Sequence, residues 1–291
     1  MLADQGIKEI TLLGQNVNSY CDESSVTSIS CKEETDHNLV NGFSSVYKSR
    51  RNGTRFVDLL DKVSVVAPNI RFRFTSPHPK DFPEPLLNLI KSRSNICKHI
   101  HLPAQSGSNS VLERMRRGYT KEAYLNLVQK IREIIPEVTL SSDFISGFVG
   151  ETEEDHRASL DLIQKVEYDM AYMYAYSMRE KTMAHRRYVD DVPEEVKQRR
   201  LREVVDLFYS QLNNTTKRYV GSKQLVLLDG PSKKDITRLQ GRTDGNKTVV
   251  LDSHYDFLNS GDFVEVSIVG QSNSTLIGKF SKISSINEFN S

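Results

Sequence analysis

Apolar residues in this chain fall into short runs, each closed by glycine, proline or a polar cluster, with helical patterns between them. Glu9–Gly14 (EITLLG) reads as a core strand running into a polar loop at Gln15 and Asn16. Arg71–Thr75 (RFRFT) and Lys98–Leu102 (KHIHL) alternate with a period of two, and Val138–Ile145 and Met170–Tyr176 (MAYMYAY) are further apolar strands. Between them, Phe56, Leu59, Leu60, Val63 and Val66 recur at helical spacing up to the breaker Pro68, and Asp81–Ile90 has a helical pattern. Ser108 and Thr120 each cap a helix, Thr152 with Asp155 starts another in a capping-box arrangement, and Pro193 takes the first position of a long charged helix to about Asn213.

Five strands joined by helical crossovers pair in parallel with their helices outside. The expected fold class is therefore α/β, a partial barrel whose ligands gather at the strand C-terminal ends. Polar clusters sit at those ends: Gln15-Asn16, Thr75–His78, Pro103–Gly107, Gly147–Glu151 and Ser177–Arg179. After Asn213 the pattern changes to short β-type runs at Gln224–Leu228, Thr248–Leu251, Asp262–Ile268 and Thr275–Phe280, separated by Asp-Gly and Ser-Gly turns. Such spacing predicts a small antiparallel barrel. Residues 21–54, rich in Ser, Asn and charge without periodicity, read as a solvated insertion.

Composition supports packed domains: 37% of the 291 residues are hydrophobic, and 39 Lys+Arg balance 38 Asp+Glu. No run approaches the roughly 20 apolar residues that span a bilayer, and the first residues lack the pattern of a signal peptide. From Lys217 to Lys247, eight Lys/Arg stand against three Asp, a bias that suits a phosphate-facing surface. The cysteines Cys21, Cys31 and Cys97 form neither a disulfide framework nor a CxxC or CxxxCxxC metal spacing, and their odd number suits a reducing compartment.

Gln105, Ser106 and Gly107 lie between a strand and a helix cap, where backbone N–H groups and a hydroxyl can meet a polar or anionic ligand, and Gly147 and Gly150 repeat the arrangement one strand later. Two neighbouring mouths can share one nucleotide-like ligand. Asp143, late in an apolar strand, requires a partner or a function. His78, His99 and His101 have no carboxylate or thiolate beside them in sequence, so they read as structural rather than as a metal set. No nucleophile elbow or P-loop is present, which leaves hydrolase and nucleotidase readings without support.

At these clusters the chain resembles the MiaB-type tRNA methylthiotransferases of the radical S-adenosylmethionine superfamily, in their animal mitochondrial branch. The matching stretches are EITLLGQNVNSY from Glu9, RFRFTSPHPKDF from Arg71, HLPAQSGSNSVLERMRRGYT from His101, SSDFISGFVGETEEDH from Ser141 and YSMREKTMA from Tyr176. The resemblance implies residues 1–216 as a partial (β/α)6 radical SAM core barrel lacking its first strand, with the polar insertion at 21–54. It implies 217–283 as a TRAM-like RNA-binding β-domain and 284–291 as a tail. The implied activity adds a methylthio group to C2 of N6-isopentenyladenosine next to the tRNA anticodon. S-adenosyl-L-methionine and two 4Fe-4S clusters are the implied cofactors, tRNA the partner, and a kinase activator a possible protein partner. The implied location is mitochondrial, with the cytoplasm as the alternative and no membrane association.

By the same resemblance, Gln105, Ser106, Gly107, Asp143, Gly147 and Gly150 line the S-adenosylmethionine pocket, and Gln15, Asn16 and Arg73 face substrate or the auxiliary cluster. Lys233, Lys234, Arg238, Arg242 and Lys247 contact RNA. The family's cluster-binding CxxxCxxC loop has no counterpart here, and none of the three cysteines matches a family ligand, so no metal-ligating residue is assigned. The expectation is a catalytically inactive fragment of such an enzyme; the alternative is a non-catalytic short isoform that binds tRNA or a protein partner.

Overall fold

The computed structural model describes residues 3–24, 40–44 and 53–290. Most of the 21–54 insertion, Cys31 included, lies outside the described residues. Strands β1 (Glu9–Leu12) and β4 (Arg71–Phe74) pair in parallel, with Glu9 opposite Arg71 and Thr11 opposite Arg73. A two-stranded antiparallel ribbon of β2 (Cys21–Asp22) and β3 (Thr54–Arg55) lies between them in sequence. Strands β5 (His99–His101), β6 (Thr139–Ser146) and β7 (Met170–Ala175) form a second parallel group. A bridge between Phe72 and Ile96 joins the two groups, so the five parallel strands expected from the apolar runs stand in chain order.

Alternation along the strands separates two faces. Phe72, Phe74, Ile100, Leu140 and Phe144 are buried in one core with residues of α1 (Phe56–Val66), α2 (Glu84–Ser92), α4 (Lys121–Ile134) and α5 (Glu153–Val166). Each buried ring or branched side chain contributes about 1.5–3 kcal/mol. Their alternates, Arg71, Arg73, His99, His101, Thr139, Ser141, Asp143, Tyr172 and Tyr174, lie on the opposite, polar face. The helix read at Asp81–Ile90 is interrupted: a 3-10 turn covers Pro79–Asp81 and α2 begins at Glu84, because Pro83 lacks the N–H needed to continue. The caps are as expected. Ser108 accepts from the Val111 N–H ahead of α3 (Asn109–Arg114), Thr120 from the Ala123 N–H ahead of α4, and Thr152 and Asp155 form a capping box at α5.

After β7, α6 (Met183–Arg187) and the 24-residue α7 (Glu194–Lys217) lead to a closed barrel. Its strands are β8 (Lys223–Pro231), β9 (Leu239–Arg242), β10 (Thr248–Leu251), β11 (Phe263–Ser272) and β12 (Thr275–Ile283). One pair departs from the antiparallel expectation. Closure brings the free edge of β10 to β12, which runs in the same direction, so Val249 sits opposite Leu276 in parallel register. The 284–291 stretch carries a short helix, α8 (Ile286–Phe289), whose Ile286 packs with Leu225, Leu227 and Phe263.

The β9–β10 turn is seated against the N-terminal ends of the parallel strands. Arg73 donates to the carbonyls of Thr243 and Asp244, and Arg71 to those of Arg242 and Leu225. The Asp244 carboxylate accepts from the Lys98 N–H, Thr139 Oγ1 donates to the Gly245 carbonyl, and Lys247 pairs with Asp169 at 3.2 Å. The bottom of the polar face is thus closed by a turn of the second domain. Among the described residues, no helix is long and apolar enough to cross a membrane.

Candidate functional site

At the other end of the strands, Gln105 takes up a left-handed backbone conformation (φ 68°), which lets it bond on both sides: its N–H donates to the Asp143 carbonyl and its carbonyl accepts from Ile145, each at 2.9 Å. Gln105 and Asp143 are thereby main-chain neighbours beyond β5, with Gln105 in bridge register with Phe144. His101 joins them. Its Nε2 lies 3.3 Å from Asp143 Oδ2, its Nδ1 lies 2.9 Å from Ser141 Oγ, and Tyr172 stands edge-on to its ring at 6.0 Å. Sequence reasoning left His101 without a carboxylate neighbour because the partner lies 42 residues away. The usable signal was register: His101 is opposite Ser141, and Asp143 is the next residue on that face. Deeper on the same face, His99 Nε2 is buried without a partner. Burial, together with the charges of Arg73, His101 and Lys247, pushes its pKa down to about 3.

The loops expected to offer free N–H groups have already used them. The Gly107 N–H donates to Ser159 Oγ at 2.9 Å, and Ser106 Oγ is shared between Ser159 and the Ser108 N–H. Both residues are packed beneath α5, and a Cβ on Gly107 would lie 2.2 Å from the Ala158 carbonyl oxygen. The N–H groups of Gly147 and Phe148 donate to Glu151 Oε2, that of Gly150 to Asp191, and Arg200 holds Glu151 in a buried pair. Gly147 and Gly150 have φ of 78° and 68°, and a Cβ on Gly147 would meet the Lys197 side chain. These glycines are accounted for by turn conformation and by packing.

Gln15 and Asn16 are exposed just beyond β1, with Asn16 in a left-handed conformation ahead of the Val17–Ser19 turn, so they share the mouth's end of the sheet. Arg73 does not: it is buried at the bottom, paired with Glu9 at 2.9 Å. The five basic positions also separate. Lys233 and Lys234 are exposed in the β8–β9 loop with Arg238, which pairs with Asp235. Arg242 pairs with Asp229, and Lys247 is only 3% exposed, inside the contact between domains.

A cluster finds no ligand set in these residues. Among the described residues, no three His, Cys, Asp or Glu side chains come together as a metal-holding group. Cys97 is buried between Arg73 and Asp244, and burial raises its pKa, which keeps it a thiol rather than the thiolate that iron–sulfur ligation needs.

Comparison with known proteins follows this division. The Radical SAM superfamily model matches residues 1–163 and the TRAM domain model residues 217–281. A "CDK5RAP1-like protein" of Oryza sativa subsp. japonica is 54% identical over 98% of this chain and 49% of its own length. The "Mitochondrial tRNA methylthiotransferase CDK5RAP1" of Homo sapiens is 52% identical over 96% of this chain and 47% of its own. A "tRNA-2-methylthio-N(6)-dimethylallyladenosine synthase" of Chlorobium luteolum is 45% identical over 95% and 56%. The chain spans about half the length of the relatives it matches. With its parallel strands β1, β4, β5 and β6 inside the matched region and its closed barrel coinciding with a TRAM domain, the chain belongs to the radical SAM superfamily.

Proposed function

We propose that this chain supplies the S-adenosylmethionine-binding and RNA-binding parts of a tRNA methylthiotransferase acting on C2 of N6-isopentenyladenosine beside the anticodon. The observation that carries the cofactor half is the Asp143 carboxylate on the polar strand face, 3.3 Å from His101 Nε2, with the Gln105 backbone bonded beside it. There Asp143, held by His101, presents a carboxylate to a polar or cationic group, and Gln105 supplies an amide that can both donate and accept. Bound at this face, S-adenosylmethionine supplies the transferable methyl group. Gln15 and Asn16, exposed at the same end, face the RNA. The similarity of relatives named as tRNA methylthiotransferases supports the substrate class, and that of the mammalian ones supports a mitochondrial setting.

The described residues hold no ligand set for a 4Fe-4S cluster, so no step is assigned to one. The cluster ligands that such a reaction requires come from outside these 291 residues, and the chain alone binds its ligands without turnover. Residues 1–216 and 217–283 act as the cofactor-binding and RNA-binding units. Calorimetric titration with S-adenosylmethionine tests the reading: Asp143→Asn, which keeps shape and removes charge, is expected to weaken binding about tenfold, as is Gln105→Ala. Wild-type heat retained by both variants would refute the assignment.

A further inference from the structure

We propose, building on the tRNA reading above, that Tyr172 to Arg187 forms an RNA-binding rim. Unpaired bases stack on Tyr172 and Tyr174, and Arg179, Lys181, Arg186 and Arg187 hold the phosphates of the same loop. The two tyrosines occupy one face of β7 and are 46% and 54% exposed. Tyr172 lies opposite Asp143 and edge-on to His101, so this aromatic strip is continuous with the candidate site. Adjacent uncovered rings on a strand face suit base stacking, which tolerates sequence because every base has a π-face.

The basic residues follow directly. Met178, Ala184 and Tyr188 pack against Val111, Phe148 and Val149, which anchors the segment and leaves Arg179, Lys181, Arg186 and Arg187 exposed. Glu180 is the only acid from Arg179 to Arg187. The neighbouring acids are engaged elsewhere, Asp190 with Lys197 and Asp191 with the Gly150 N–H. Among the described residues none of the four cations forms an ion pair, whereas in the closed barrel Arg238, Arg242 and Lys247 are each paired with an aspartate. The β9–β10 turn of the closed barrel sits at the opposite ends of the strands, so its cations lie away from the mouth.

Fluorescence anisotropy of the full chain with a labelled hairpin RNA bearing an unpaired loop tests the rim. Replacing Arg179, Lys181, Arg186 and Arg187 together by Gln is expected to weaken binding at least about tenfold and to lower the salt slope by about 3, at about 0.7 per phosphate contact. Tyr172→Ala/Tyr174→Ala is expected to cost about tenfold on the hairpin with the salt slope unchanged, and nothing on a fully paired duplex. Wild-type affinity and slope in the four-fold variant would overturn the rim while leaving the tRNA reading intact. Failure of the wild-type chain to bind the hairpin would overturn both. An acidic peptide that binds as tightly as the hairpin would mark a general anion surface and also refute the proposal.

Discussion

Arg73 Nη2 donates to the main-chain oxygen of Thr243 at 2.7 Å, although the two residues are 170 positions apart. With the bonds to Asp244 and Glu9, one guanidinium joins two strands of the parallel sheet to the turn of the closed barrel. Arg73→Ala is expected to destabilise the chain by about 3–5 kcal/mol, since it leaves Glu9 and two carbonyls buried without their donor. Urea unfolding followed by fluorescence and circular dichroism should show one transition for the wild type and two for the variant. Arg73→Lys should not restore the single transition, because an ammonium cannot satisfy a fork of three acceptors.

Gly107 is packed too closely against α5 to accept a side chain. Gly107→Ala brings a methyl against the Ala158 carbonyl in α5, so loss of thermal stability is expected before any specific loss of binding. Gly14→Ala makes only ordinary contacts with Val17 and is the matched control. Equal melting temperatures for the two variants would show that α5 can move away from this loop.

Acid should weaken the fold through His99. Its folded pKa is about 3, below the ordinary 6.5, so the unfolded chain takes up a proton that the folded chain refuses across that window. The stability present above pH 6.5 is then lost as pH falls, at up to about 1.4 kcal/mol per pH unit. His99→Phe should flatten the dependence of the urea midpoint on pH. A residual slope should remain from His78, whose pKa burial and the nearby Arg117 and Lys80 bring down to about 4.

Anaerobic reconstitution with iron and sulfide is expected to give the chain no visible absorption band of a 4Fe-4S centre. A band that disappears in Cys97→Ser would show that the buried thiol becomes accessible and would overturn the ligand assignment.

The strands of the parallel sheet could be read from sequence because each carries enough apolar residues to fix both its type and its buried face. Strand β9 could not: Leu239–Arg242 has one large apolar residue, and Gly241 is required by its close approach to the Leu227 carbonyl rather than by any turn. Arg73 illustrates a different limit. Alternation in RFRF places it on the polar face, but only the tertiary structure shows that a turn from the second domain covers that end. Likewise, Gln105 and Asp143 were recognisable one at a time as polar residues at strand ends, whereas the His101–Asp143 contact depends on the register between β5 and β6.

Helix α7 begins near the mouth, where Lys197 lies over the Tyr176 ring, and ends beside the closed barrel, where Asn213 accepts from Gln271. Its 24 residues extend about 36 Å. It therefore acts as a yardstick. The two contacts, Lys197 and Asn213, lie 16 residues apart, about 24 Å along the axis, so a ligand that reaches both of them must be longer than a dinucleotide. Under the proposed RNA reading, only an RNA long enough to follow the helix gains from both ends at once.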